Sequence, residues 1–285
     1  MKNAAFLFLL CLPIVVSAHV EDLLYFPKKG EAAGSTAVAM SNSELSGTLS
    51  GTKVTLSGAR TTVKQQLGFG LTDVFAVGIY VDHVSSATSD AKVGAVTTSS
   101  NVNTGVQSPT LLFGGRFKFN NEEALNFNFI DARLFVNPKG SDDNASRSDF
   151  VGVDLLTGAV LSEAQELSIG LTHTSYNANV DEEANSETDL TFGYKRNMSN
   201  SLFLKLKAGL ASLTQTKYKP SGNTVDYSNA YLLSFGVGGE IKPNTFTWLI
   251  SYQALRGSID YKIGASKIGG DLVGNTFNFG LGYIF

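Results

Sequence analysis

The sequence predicts an all-β chain, an antiparallel up-and-down barrel of twelve strands that crosses a membrane. Three observations carry this. Apolar and polar residues alternate strictly over segment after segment, the period-2 signal of strands with two unlike faces. Charged residues make up only 16% of the chain, against roughly a quarter in soluble domains, while Gly (29), Phe (19) and Tyr (10) are plentiful. Tight polar turns and longer loops take turns as connections, the rhythm of a transmembrane barrel with short turns at one rim and long loops at the other.

The N-terminus reads as a secretory signal. Lys2 precedes an apolar run from Ala4 to Val16 that ends in Val16-Ser17-Ala18, so residues 1–18 are expected to be a signal peptide cleaved after Ala18, and 19–34 a periplasmic N-terminal segment leading into the barrel, 35–285. The one cysteine, Cys11, falls inside the apolar run, so no disulfide or thiolate metal site is expected downstream. Leu10 stands before Cys11 where a lipoprotein signal needs a small residue. A membrane helix needs about 20 apolar residues in a row, and none follows residue 18, so a chain that spans a membrane must do so with strands.

Strands are placed near 35–45, 55–70, 74–84, 108–119, 124–136, 150–161, 166–176, 188–196, 201–213, 229–241, 245–260 and 271–285. The clearest are Leu202, Leu204, Leu206, Ala208 and Leu210 against Phe203, Lys205, Lys207, Gly209 and Ala211, and Tyr231, Leu233, Phe235 and Val237 against Leu232, Ser234, Gly236 and Gly238. Tight turns fall at 71–73, 120–123, 162–165, 197–200 and 242–244; loops run about 85–107, 137–149, 177–187, 214–228 and 261–270. The 35–45 strand is the weakest, its Ala37, Ala39 and Ser41 alternating with Val38 and Met40 before a Gly/Ser/Thr-rich stretch that blurs every boundary to Gly58. It supplies the twelfth strand that an even count requires; ten and fourteen are the alternatives. A soluble β-sandwich would also alternate, but sandwich strands average about five or six residues, shorter than many segments here.

The chain closes on Phe277-Asn278-Phe279-Gly280-Leu281-Gly282-Tyr283-Ile284-Phe285. This resembles the terminal assembly signal of bacterial outer-membrane β-barrel proteins, with Phe277, Phe279, Leu281, Tyr283 and Phe285 in phase, and Gly70-Leu71-Thr72-Asp73 resembles a periplasmic turn of such barrels. The resemblance implies the outer membrane of a Gram-negative bacterium, outer-membrane lipids and lipopolysaccharide as surroundings, and the barrel-assembly machinery as partner. It reaches an architecture and leaves oligomeric state open.

Alternation also assigns charges, because Arg or Lys facing lipid at the midplane costs about 2–4 kcal/mol. Lys64, Asp82, Arg116, Lys118, Asp154, Lys195, Lys205, Lys207 and Glu240 should therefore face the lumen. Two readings follow: a narrow porin-like channel for small hydrophilic solutes whose charged wall selects among them, or a plugged structural barrel in which these groups pair with one another. The 85–107 loop could narrow the mouth. Asp131 and Arg133 break the pattern, sharing parity with Phe127 and Phe129; a bulge or an exit from the membrane at that point would explain them.

A third reading is catalytic. Leu167, Ile169 and Leu171 continue in phase to His173 and Ser175, a His-x-Ser spacing that resembles outer-membrane phospholipase A and the lipid A deacylases. The resemblance implies His173 as general base on Ser175, with Glu187 or Asn185 orienting the imidazole. Tyr176 follows the serine where the phospholipase has Asn-Gly, and Glu187 falls on the inward parity of its strand. His83 has no partner at ligand spacing, His19 is at the new N-terminus, and the acidic loop Asp181-Glu182-Glu183 with Glu187 lacks a calcium loop's glycine turn, so neither a metal nor a cofactor is expected. With 22 basic against 25 acidic residues and no basic run, nucleic acid is an improbable partner.

Overall fold

The computed structural model describes residues 27–49, 51–101, 104–106, 109–118, 129–138, 149–162, 165–178, 183–199, 201–213, 216–217, 222, 224–240, 246–263 and 266–285. Twelve strands form one closed antiparallel barrel. In chain order they are β1 Ala32–Leu49, β2 Thr52–Gly70, β3 Phe75–Val93 and β4 Thr110–Lys118. Next come β5 Phe129–Asn137, β6 Phe150–Ser162, β7 Gln165–Tyr176 and β8 Asn185–Asn197. The last four are β9 Leu202–Leu213, β10 Thr224–Glu240, β11 Phe246–Ile263 and β12 Ser266–Ile284. Each pairs with its chain neighbours, and β12 closes on β1 from Ala33↔Ile284 to Thr48↔Gly269. Closure leaves no sheet edge, which a strand structure in lipid requires because nothing there can satisfy unpaired backbone groups.

Following the pairing once round from Phe75, through Gly115, Ala132, Leu155, Leu171, Leu190, Leu210, Tyr231, Arg256, Val273, Glu44 and Ser57, returns to β3 at Asp90. One residue of that interval, Ser85, is a bulge, since Thr61 pairs with Ser86 and Thr62 with Val84. The stagger is thus about 14 residues, which at about 3.3 Å rise and about 4.8 Å strand spacing gives a tilt of about 40° and a backbone radius of about 12 Å.

The faces are inside out relative to a soluble protein. Outward parity carries Phe75, Ile79, Leu111, Phe113, Leu134, Val153, Leu155, Ile169, Leu171, Phe192, Leu206, Leu210, Leu233, Phe235, Ile250, Phe277 and Phe279, all large, apolar and exposed. Inward parity carries Ser35, Thr62, Lys64, Gln66, Asp82, Thr110, Asp131, Asn137, Asp154, Thr172, Thr174, Ser251, Gln253, Thr276 and Asn278, all polar and buried. An apolar belt running round the whole barrel is far beyond the patches soluble monomers expose, and it excludes the sandwich, whose core lies between sheets.

Several boundaries differ from the sequence reading. The first strand begins at Ala32 rather than Ser35, and the blurred first hairpin is a tall one, with Gly51 at φ +81° in its turn. At 261–270 there is no long loop: β11 and β12 pair up to Ile263↔Ser266. Between Ser85 and Gln107 the chain keeps to the sheet, β3 running to Val93 and Val96–Asn101 pairing back along it, so the described part does not cross the mouth. Gly47 and Gly270 hide this from an alternation test, yet a Cβ at either would run into backbone of the neighbouring strand, at Gly269 and Ser46 respectively. The tall hairpins make a wall at the rim opposite the termini, which the short-turn rule assigns to the cell exterior.

Candidate functional site: the lumen

Lumenal chemistry begins on β4 and β5. Arg116 Nε donates to Asp131 Oδ1 (2.7 Å) and its Nη2 to Asp131 Oδ2 (2.6 Å), a bidentate pair. Arg133 Nη2 lies 3.8 Å from the same carboxylate, and the Arg116 guanidinium stands 5.6 Å over the Phe129 ring. Asp131 and Arg133 face inward without any register shift in β5: the expected bulge is absent because Phe129 itself faces the lumen, and Ile130 and Leu134 face lipid. Aromatic residues were read as lipid-facing; here one serves as the platform for a lumenal cation. Next along the wall, Asp154 on β6 lies opposite Arg133 and accepts from Thr172 Oγ1 on β7 (3.0 Å).

On the wall formed by β2 and β3, Lys64 and Asp82 are register partners and both face inward, 7% and 6% exposed. On the wall of β8 and β9, Lys195, Lys205 and Lys207 are only half-buried. Lys195 stands 4.9 Å over the Phe203 ring and opposite Glu166. The lumen therefore holds both signs unevenly. Asp82, Asp131, Asp154 and Glu187 are buried in the wall, whereas water reaches the lysines of β8 and β9. Lys118 and Glu240 occupy inward strand positions whose side chains lie outside the described residues.

His173 and Ser175 lie on the outward face of β7, exposed at the rim away from the termini. Ser175 Oγ is 3.3 Å from His173 Nε2, and His173 Nδ1 is 2.8 Å from Thr188 Oγ1. Among the described residues no acidic side chain reaches His173. Glu187 is on the lumenal side of the sheet, where Tyr176 Oη donates to its Oε2 (3.2 Å), and Asn185 shares its inward parity. A neutral threonine hydroxyl cannot stabilise an imidazolium as a carboxylate does. Among the described residues no group of three His, Cys, Asp or Glu side chains is placed to hold a metal.

No protein-family model and no curated protein matches the sequence. Solved structures match the fold. The COG4313 outer membrane channel of Pseudomonas putida F1 superposes with a TM-score of 0.60 at 13% identity, covering 93% of this chain and 98% of that one. The translocator domain of the autotransporter NalP from Neisseria meningitidis (TM-score 0.50, 11% identity) covers 99% and 97%. The transport unit of the autotransporter AIDA-I from Escherichia coli (TM-score 0.50, 13% identity) covers 99% and 98%. The closed barrel, the apolar outer belt, the polar lumen and these likenesses together give the chain the fold of a bacterial outer-membrane β-barrel of twelve strands.

Proposed function

We propose that this barrel is a narrow channel for small hydrophilic solutes. The observation that carries the reading is the division of lumenal charge: Asp131 and Asp154 are held in the wall by Arg116 and Thr172, while Lys195, Lys205 and Lys207 of β8 and β9 are only half-buried. A backbone radius of about 12 Å, reduced by inward side chains of about 5–6 Å, leaves an opening roughly 12 Å across, room enough for a small solute. The COG4313 protein, described as a channel, supports this reading. The two autotransporter domains share the barrel and offer no matching observation in the lumen. The His173 and Ser175 pair supports no hydrolase, because Glu187 is on the other side of the sheet.

The test is a planar-bilayer recording of refolded protein beside a phospholipid hydrolysis assay with and without calcium. Reproducible single-channel steps and no hydrolysis are expected. A silent bilayer would favour the plugged barrel. Hydrolysis lost in both His173→Ala and Ser175→Ala would overturn the non-enzymatic reading.

A further inference from the structure

One register level of the lumen differs from those beside it. It runs from Ser168 on β7 through Gly193 on β8, Lys207 on β9, Ser234 on β10 and Gln253 on β11 to Thr276 on β12, each the pairing partner of the next and all facing inward. Five are neutral and small or donor-bearing; the sixth is a cation. The level holds no carboxylate as it continues through Ser41 to Arg60. At the two neighbouring levels cations stand beside acids, Lys195 opposite Glu166 and Arg116 opposite Asp131.

Side-chain length gives this level a shape. Lys207 and Gln253 are long and flank the short Ser234, so two strand spacings, about 10 Å, separate two donors that both reach over a recess. On the other flank of Lys207 is Gly193, with no side chain at all. Gln253 and Thr276 are 6% and 4% exposed, and among the described residues no hydrogen bond or ion pair is made by Gln253, Thr276 or Lys207. Their polar atoms keep some contact with the lumenal space, where a solute oxygen can take the place of water.

We propose that Lys207, Ser234, Gln253 and Thr276 form a binding station for small monocarboxylates inside the lumen, a reading that names the solute class of the channel proposed above and rests on it. Lys207 supplies the charge and up to three donors, the Gln253 amide two, and the two hydroxyls one each, enough for both oxygens of a carboxylate. A single positive charge suits one negative charge. Between Ser168 and Arg60 the other cation is Arg60 itself, which spends its Nε on Thr62 Oγ1 (3.1 Å).

The experiment is current through the refolded full barrel in potassium acetate, chloride and sulfate, with acetate binding to the detergent-solubilised barrel measured in parallel by calorimetry. Acetate conductance should saturate, and permeability should favour anions. Lys207→Gln should raise the half-saturating concentration and the dissociation constant about ten-fold and reduce the anion preference. Gln253→Leu should raise both constants and leave the charge preference in place; Lys53→Gln, an exposed side chain at the rim end of β2, should leave acetate binding unchanged. Conductance linear in acetate, binding indifferent to Lys207→Gln, or sulfate held more tightly than acetate would overturn the proposal. A silent bilayer with acetate binding that still depends on Lys207 would instead refute the channel and keep the site.

Discussion

Replacing Asp131 with Asn removes one charge from the most buried carboxylate of the lumen and leaves two arginines facing each other across it. Asp131 is 1% exposed and takes both hydrogen bonds of the Arg116 fork, with Arg133 Nη2 a further 3.8 Å away. Breaking a buried ion pair by removing one partner costs about 3–5 kcal/mol. Arg116 is 29% exposed and keeps its seat over Phe129, so lumenal water recovers part of that. The expected loss is about 2–3 kcal/mol, read as an earlier midpoint in urea unfolding of the refolded barrel, followed by the fluorescence of its one tryptophan, Trp248. Asp131→Asn combined with Arg116→Gln replaces the pair by two neutral amides and should recover all but about 1 kcal/mol. A single variant within about 0.5 kcal/mol of the parent, or a double variant as weak as the sum of its parts, would refute the account of this wall.

Other perturbations probe the two faces. Leu204→Arg places a charge on the lipid face of β9 and should cost about 2–4 kcal/mol in folding into bilayers, while Lys205→Ala, its neighbour, should fold normally; equal losses at both would contradict the assigned phase. Gly152→Ala should destabilise the barrel by about 1–3 kcal/mol in the same urea titration, because the added methyl would collide with the Phe135 ring. Phe135→Leu in the same chain should relieve most of that, and a neutral Gly152→Ala would show the packing of β5 on β6 to be looser than described. Deleting Phe285, whose amide donates to Ala32 at the closing seam, should lower the yield of heat-modifiable barrel in cells; undiminished insertion would count against the terminal signal.

Which parts of this were legible in the sequence follows from what alternation can and cannot report. β9 was read correctly in extent and phase because Leu and Lys could hardly exchange faces in a membrane. The tall hairpins of β1–β2 and β11–β12 were not, because above the bilayer both faces meet water and Gly47, Gly269 and Gly270 carry no side chain to mark a face. Phe129 misled for another reason: an aromatic ring is as useful under a guanidinium as in lipid, so hydrophobicity alone does not give its side. The level of Ser168, Lys207, Ser234, Gln253 and Thr276 was invisible, because it exists only in the register of six strands, which no single segment encodes.

The central claim is that a polar, water-reached lumen lies behind an apolar shell, and β9 tests it most directly. A chain without residues 1–18 has no cysteine, so single cysteines at Leu204, Lys205, Leu206 and Lys207 can be refolded into liposomes and exposed to a membrane-impermeant thiol reagent. The account expects labelling at positions 205 and 207 and protection at 204 and 206. Uniform labelling, uniform protection or the opposite phase would contradict it.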